Sequence, residues 1–137
     1  MTTEHFPAPG YRAVFYKAPR FDKRNAAGDY LVPRGERLIY TAPVLRFAVS
    51  PPTDKTANGA GVGYSLVLVR DGAVRAYSQP TDDFLGVIEP GRDPARCSLV
   101  PVAHQRARAE AQRLRQEERI QEMTQAAMDA ASKENDQ

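Results

Sequence analysis

Hydrophobic and polar positions follow their clearest pattern between Tyr64 and Gln79. The run Tyr-Ser-Leu-Val-Leu-Val-Arg is followed by Asp71-Gly72 and then by Ala-Val-Arg-Ala-Tyr-Ser-Gln. Two β-prone runs around Asp-Gly are typical of a hairpin, because this dipeptide supplies the two positive-φ positions of a type I′ turn. The pattern predicts a β-hairpin around which the rest of the first hundred residues is organised.

Shorter β-prone runs lie on both sides of this hairpin. Residues 11–17 predict a strand, residues 37–42 and 44–49 predict two segments separated by Pro43, and residues 84–88 predict a last strand. The loops at 17–35, with a short strand at 29–32, and at 51–63 are rich in proline and glycine. The two faces of the first strand are predicted as Tyr11, Ala13 and Phe15 against Arg12, Val14 and Tyr16.

The pattern changes after Pro101. From Val102 to about Ser132 there is no glycine or proline, and Ala, Arg, Gln and Glu dominate. These residues are good helix formers, and proline is acceptable at a helix start. Opposite charges also stand three or four residues apart along this stretch. The sequence therefore predicts one long C-terminal helix.

Two separate apolar stripes run along this predicted helix. Ala103, Ala107, Ala111 and Leu114 form the first, and Ile120, Met123, Ala127 and Ala130/Ala131 form the second. At about 100° per residue the second stripe lies roughly 160–180° around the axis from the first. A helix of about 30 residues is about 45 Å long, whereas a domain of about 100 residues is only about 30–35 Å wide. We expect the first half to contact its own domain and the second half to contact another chain.

Composition leaves the class of protein broad. The chain has 137 residues, a net charge of +2 and 42% hydrophobic residues, as in one ordinary globular domain. The N-terminus lacks the features of a signal peptide, and no apolar run is long enough to span a bilayer. These features predict a soluble cytoplasmic protein, or one within a particle assembled in the cell. Arginine outnumbers lysine fifteen to four, which hints at a GC-rich bacterial or viral source.

No catalytic, cofactor-binding or metal-binding residue is predicted. The glycines of residues 59–63 precede a strand, whereas a phosphate-binding loop follows a strand and opens a helix. Cys97 and His104 are close in sequence, but a nucleophile and base also need an orienting group and a pocket. Asp82-Asp83 has no spaced set of oxygen ligands around it. A buried cysteine and a solvated acid pair explain these residues better.

A basic, aromatic segment raises a nucleic-acid alternative. Between Tyr11 and Arg46 eight Lys/Arg stand against three acids. Cations there could follow a phosphate backbone while an aromatic ring stacks on a base, although a solvated loop with buried aromatics explains the pattern as well. The candidate residues for nucleic acid are Arg12, Tyr16, Lys17, Arg20, Phe21, Lys23, Arg24, Arg34 and Arg37.

The sequence as a whole predicts an α+β protein. An antiparallel β-rich domain of five or six strands, a partly open barrel or sandwich, spans residues 11–100. An extended arm (1–10) precedes it, and a helix (101–132) and a polar tail (133–137) follow it. We expect a non-enzymatic binding or assembly protein that presents its helix to another protein or to its own copies, as phage and mobile-element accessory proteins do. The candidate partner-binding residues are Leu114, Ile120, Met123, Ala127, Arg108, Arg115 and Arg119.

Overall fold

The computed structural model describes residues 3–51, 61–80 and 83–135. Most of the predicted 51–63 loop and Asp82 of the acid pair lie outside these residues. The strands are β1 (Glu4–Pro7), β2 (Arg12–Tyr16), β3 (Ile39–Ser50), β4 (Val62–Leu68), β5 (Val74–Tyr77) and β6 (Phe84–Ile88). Turns of 3-10 helix span Gly35–Leu38 and Pro94–Arg96, and one helix, α1, spans Leu99–Asn135.

The strands form one antiparallel sheet in the order β5-β4-β3-β2-β6, with β1 paired to the far end of β3. The α+β prediction is confirmed: a six-stranded open sheet is followed by one long helix. β5 and β6 lie at opposite ends of the strand order, yet the rings of Tyr77 on β5 and Phe84 on β6 stack 4.6 Å apart. The sheet is therefore strongly curled. A partly open barrel results.

β3 is one continuous strand of 12 residues and not two segments. Its first part pairs with β2 and its last part with β1, and the register against β4 shifts between Val44 and Arg46. Pro43 sits where the neighbour changes, so its missing N–H costs little. Residues 4–7 of the predicted arm are extended and paired with β3, while the predicted strand at 29–32 is only a single bridge between Arg24 and Tyr30.

The predicted hairpin is present, but its turn differs from the predicted one. Val69 N–H donates to Ala73 at 2.9 Å and Gly72 N–H donates to Val69 at 3.0 Å, which closes a three-residue loop over 70–72. Gly72 has a φ of +87°, as expected for the left-handed residue that ends such loops. The Asp71 side chain also accepts from Ala73 N–H, so the loop satisfies its own backbone.

Two apolar clusters lie on opposite faces of the sheet. The inner cluster fills the barrel and comprises Ala8, Ala13, Phe15, Ala42, Val44, Val67 and Phe84. The outer cluster lies beneath α1 and comprises Val14, Tyr16, Leu38, Leu85, Ile88, Ala103 and Ala107. β2 contributes alternate residues to each cluster, which explains why all of Ala13–Tyr16 is buried. The predicted division of this strand into two faces is therefore correct for these four residues.

Helix α1 is 37 residues long, which corresponds to about 55 Å. Ala103 and Ala107 are buried against the outer face of the sheet, and their small side chains let the helix backbone come close. Ala111 is buried as well, beside Asp29, Tyr30 and Val32 of the long loop. By contrast, every position at 119–134 is exposed. The helix is therefore longer than the surface it covers.

The small size of Ala107 is expected to be essential for this contact. Ala107→Leu should lower the free energy of unfolding by about 1–3 kcal/mol, because a fully buried position must accommodate three more carbons. Ala109→Leu, at an exposed position of the same helix turn, is the control and should change stability by less than about 0.5 kcal/mol. Urea unfolding measures both, and equal effects would contradict the close packing.

Candidate functional site

The distal segment, residues 119–135, is the largest uncovered element among the described residues. It is about 25 Å long at the helical rise. Ile120, Met123 and Met128 are 55%, 71% and 62% exposed, and Ala127 is exposed as well. The apolar stripe, which we define as Ile120, Met123, Ala127, Ala130 and Ala131, faces away from the side that Ala103 and Ala107 bury.

The candidate helix residues fall into two groups in the structure. Ile120, Met123, Ala127 and Arg108 are exposed. Leu114 is half-buried on the docked side, and Arg115 and Arg119 both make ion pairs with Asp29 of the long loop. The structure therefore brings Ile120, Met123 and Ala127 together on one open face, and places Leu114 and Arg115 elsewhere.

The long loop between β2 and the first 3-10 turn is held on α1 by a network centred on Glu118. Arg24 donates two hydrogen bonds of 2.7 Å to the two oxygens of this carboxylate. The hydroxyl of Tyr30 donates to the same carboxylate, and Arg115 donates at 3.3 Å. A paired guanidinium and carboxylate in this two-bonded geometry form a strong, directional contact. We call these four residues the Glu118 network.

Neighbouring contacts fix the geometry of this network. The Arg24 guanidinium lies 4.2 Å from the ring centroid of Tyr30, and the ring of Phe21 packs edge-on against Tyr30 at 5.8 Å. Gly28 adopts a φ of +84°, and a Cβ there would lie 2.9 Å from an Arg115 nitrogen. Glycine is therefore needed for the backbone conformation, and a Cβ there would require the end of the Arg115 side chain to shift. The loop is built to sit on this helix.

Arg115 is the most enclosed charged side chain of the network, with 19% of its side chain exposed. Its Nε is buried and has no hydrogen-bond partner among the described residues, while Asp29 Oδ1 lies 3.9 Å away. Charge attraction to Asp29 and Glu118 compensates in part for the burial. Arg115 therefore positions the loop rather than presenting a free cation to a partner.

The predicted nucleic-acid residues do not form one continuous surface. Tyr16 is buried and bonds to Glu110, Phe21 packs on Tyr30, and Arg24 belongs to the Glu118 network. Arg12 bonds to Thr41, and Arg34 pairs with Glu36 at 2.9 Å. Lys17, Arg20, Lys23 and Arg37 are exposed. The aromatic partners that base stacking requires are thus used inside the protein.

Tyr16 links β2 to the docked half of α1. Its hydroxyl donates to Glu110 at 2.9 Å, and the Arg106 guanidinium lies 4.8 Å from its ring centroid. Burial, the hydrogen bond to Glu110 and the negative charge of that carboxylate together raise the pKa of Tyr16 to about 12. The neutral phenol is therefore the form that the folded protein stabilises.

A cavity of about 450 Å³ opens where β5 and β6 approach each other. Phe15, Tyr40, Tyr77 and Phe84 line it, and Arg70 lies 4.1 Å from the ring centroid of Tyr40. The carboxylates at its rim are paired, Asp71 with Arg75 at 3.6 Å and Asp83 with Arg106 at 3.7 Å. Cys97 lies outside this cavity, in the turn before α1, and packs against the outer cluster. The cavity is aromatic, with a rim whose charges neutralise each other.

Comparison of the chain with protein-family models, with curated proteins and with solved structures found no match. Within the part of the chain that the structure describes, no helix is both long and apolar enough to cross a membrane. The function is therefore inferred from the residues and their geometry.

Sequence patterns alone would have missed Glu118 as the centre of a network. The i, i+3 spacing of Arg115 and Glu118 indicates a local ion pair. Arg24 and Tyr30 lie about 90 positions away in the chain and reach Glu118 only because the loop folds back over the helix. The signal available in the sequence was the pairing of an unusually long loop with several charged and aromatic residues.

The Glu118 carboxylate should contribute more to stability than its neighbour. Glu118→Gln is expected to lower the free energy of unfolding by about 1–3 kcal/mol, because the amide has no negative charge and replaces one of the two acceptor oxygens with an NH2 donor facing Arg24. Glu117→Gln is the matched control, since Glu117 and Arg113 form an exposed pair, and should cost at most about 1 kcal/mol. Both are measured by urea unfolding. Equal losses would show that Glu118 is an ordinary surface acid.

Deprotonation of Tyr16 should lower the free energy of unfolding at alkaline pH. Because its pKa is raised above the ordinary value of 10.0, its contribution is complete below pH 10 and is lost as pH rises towards about 12. The free energy of unfolding of the wild type should therefore fall more steeply across this range than that of Tyr16→Phe. Urea unfolding at about pH 9 and about pH 11.5 measures this, with Tyr64→Phe as control. Parallel pH profiles for wild type and Tyr16→Phe would refute it.

Proposed function

We propose that this protein is a non-enzymatic binding or assembly protein that engages another protein chain through the distal segment of α1. The observation that supports this most directly is the exposed apolar stripe on a helix that extends past its own domain. Large apolar side chains exposed together on a regular element are typical of interaction surfaces. Methionine and alanine suit a shallow helix contact, because they adapt to the shape of a groove.

The rest of the structure supports a rigid presentation of this segment. A helix of about 17 residues is only marginally stable alone in water. Here it continues a helix whose first half is fixed by Ala103, Ala107 and the Glu118 network. The segment is therefore held in helical form before a partner arrives, which reduces the entropic cost of binding.

Nucleic-acid binding is supported less well. The exposed cations Lys17, Arg20 and Lys23 could contact phosphates, but the neighbouring aromatic rings are engaged inside the protein. An origin in a phage or mobile element remains a prediction from the amino-acid composition and from the general architecture of a β domain followed by a long helix.

Charge on the stripe should abolish the interaction without unfolding the domain. We expect Ile120→Asp/Met123→Asp to lose the higher-mass species seen by light scattering, or the chain captured from cells of the source organism and identified by mass spectrometry. Burying two carboxylates at an apolar contact is costly. The stability of the domain should remain within about 0.5 kcal/mol, because both positions are exposed.

Gln121→Asp/Gln125→Asp serves as the control for this experiment, since it adds the same charge to exposed positions outside the stripe. It should retain the complex. If the stripe variant retains every complex that the wild type forms, or if the wild type forms none, the proposed function is wrong.

A further inference from the structure

The hairpin of β4 and β5 carries a second uncovered apolar surface. Val67 points into the barrel, so Tyr64, Leu66 and Leu68 point outward, and the register places Ala76 and Val74 beside the last two. Leu68 and Val74 are 37% and 53% exposed, and Tyr64 and Leu66 are half-buried. We call this surface, Tyr64, Leu66, Leu68, Val74 and Ala76, the hairpin face.

We propose that the apolar stripe of one copy of this protein packs on the hairpin face of a second copy. This inference rests on the proposed function and names the partner. The chain already contains the same kind of contact. The first half of α1 packs an alanine stripe on the outer face of the sheet at β2 and β6, which leaves the outer face at β4 and β5 uncovered by the described part of α1.

The strand and the helix segment that carry the two uncovered surfaces match in length. β4 has seven residues and is therefore about 23 Å long, and the distal segment is about 25 Å long. A helix can thus lie along the hairpin with its whole stripe in contact. Helix and sheet surfaces of equal length bury their apolar side chains without leaving either end exposed.

Their charges are also complementary. Glu134 continues the stripe at the helical spacing, 14 residues after Ile120. Arg46 pairs with Leu66 in the sheet and so lies on the same side as the hairpin face, where it is exposed. One acid on the helix and one base on β3, beside the hairpin face, favour a single orientation of the contact, because the reverse direction would move them farther apart.

A reciprocal exchange gives sufficient buried area. A helix about 10 Å wide and about 25 Å long removes on the order of 500 Å² from solvent, counting both partners. Two copies that exchange their helices bury about 1,000 Å², which reaches the minimum expected of a biological interface and lies just below the range of about 1,200–2,000 Å² for stable ones. One helix paired with another helix would bury only half of that. We therefore infer a two-fold dimer with two identical contacts.

Single-cysteine crosslinking tests which surfaces meet. In a Cys97→Ser background, Met123→Cys and Val74→Cys proteins are mixed and treated with a short bismaleimide. Gln125→Cys replaces Met123→Cys as the control, because it lies across the helix from the stripe. We expect the Met123/Val74 pair to crosslink at least about tenfold more than the Gln125/Val74 pair, and light scattering to give about 30 kDa, twice the 15.1 kDa of one chain.

Different results would separate this inference from the proposed function. Crosslinking of Met123→Cys mainly to itself would show helix-to-helix pairing, which overturns the hairpin contact and leaves protein binding intact. A wild type that is monomeric and gives no Met123/Val74 crosslink would also overturn it, even if another chain is captured through the stripe.

A pair of charge variants provides a second readout. Leu68→Asp/Val74→Asp changes two exposed positions of the hairpin face and should abolish the dimer as completely as Ile120→Asp/Met123→Asp does. If the hairpin variant remains a dimer while the stripe variant becomes a monomer, the hairpin is not the partner surface.

Discussion

The contact between two alanines of α1 and the outer face of the sheet determines the arrangement of this protein. Ala103 and Ala107 let the helix come close enough to cover Val14, Tyr16 and Leu85 on β2 and β6. With this cover, β2 is buried on both faces, and the apolar surface that drives folding is shared between two clusters. Without it, half of the outer cluster would be exposed to water.

The same contact gives the helix a fixed direction. Docking extends as far as Glu118, where Arg24 and Tyr30 of the long loop hold the carboxylate. Arg119 still pairs with Asp29 at 3.8 Å, and every position from 120 to 134 is exposed. The docked half of the helix thus holds the exposed distal segment in a fixed direction. A helix that is fixed before binding loses less conformational entropy when it contacts a partner.

Charge in this protein serves mainly to join its own parts. In the sequence, the basic character of the segment between Tyr11 and Arg46 is compatible with phosphate binding. In the folded chain Arg24 pairs with Glu118, Arg34 pairs with Glu36, and Asp29 lies near both Arg115 and Arg119. Except for Arg34 and Glu36, these pairs join residues that are far apart in sequence and link the loop to the helix. A local excess of charge in a sequence is thus weak grounds for a charged ligand.

Residue preference and periodicity determined which strands and helices form in this protein, and long-range contacts determined how these elements pack together. The hairpin, the long helix and the two faces of β2 follow from residue preference and periodicity, and the opposed stripes follow from helical geometry alone. Local rules predicted a two-residue turn, whereas the register of the strands leaves a three-residue loop over 70–72. They also divided β3 at Pro43, where a change of neighbouring strand makes the missing N–H harmless. The pairing of β1, the curl of the sheet and the Glu118 network required the tertiary structure, since each joins residues whose proximity depends on the path of the whole chain.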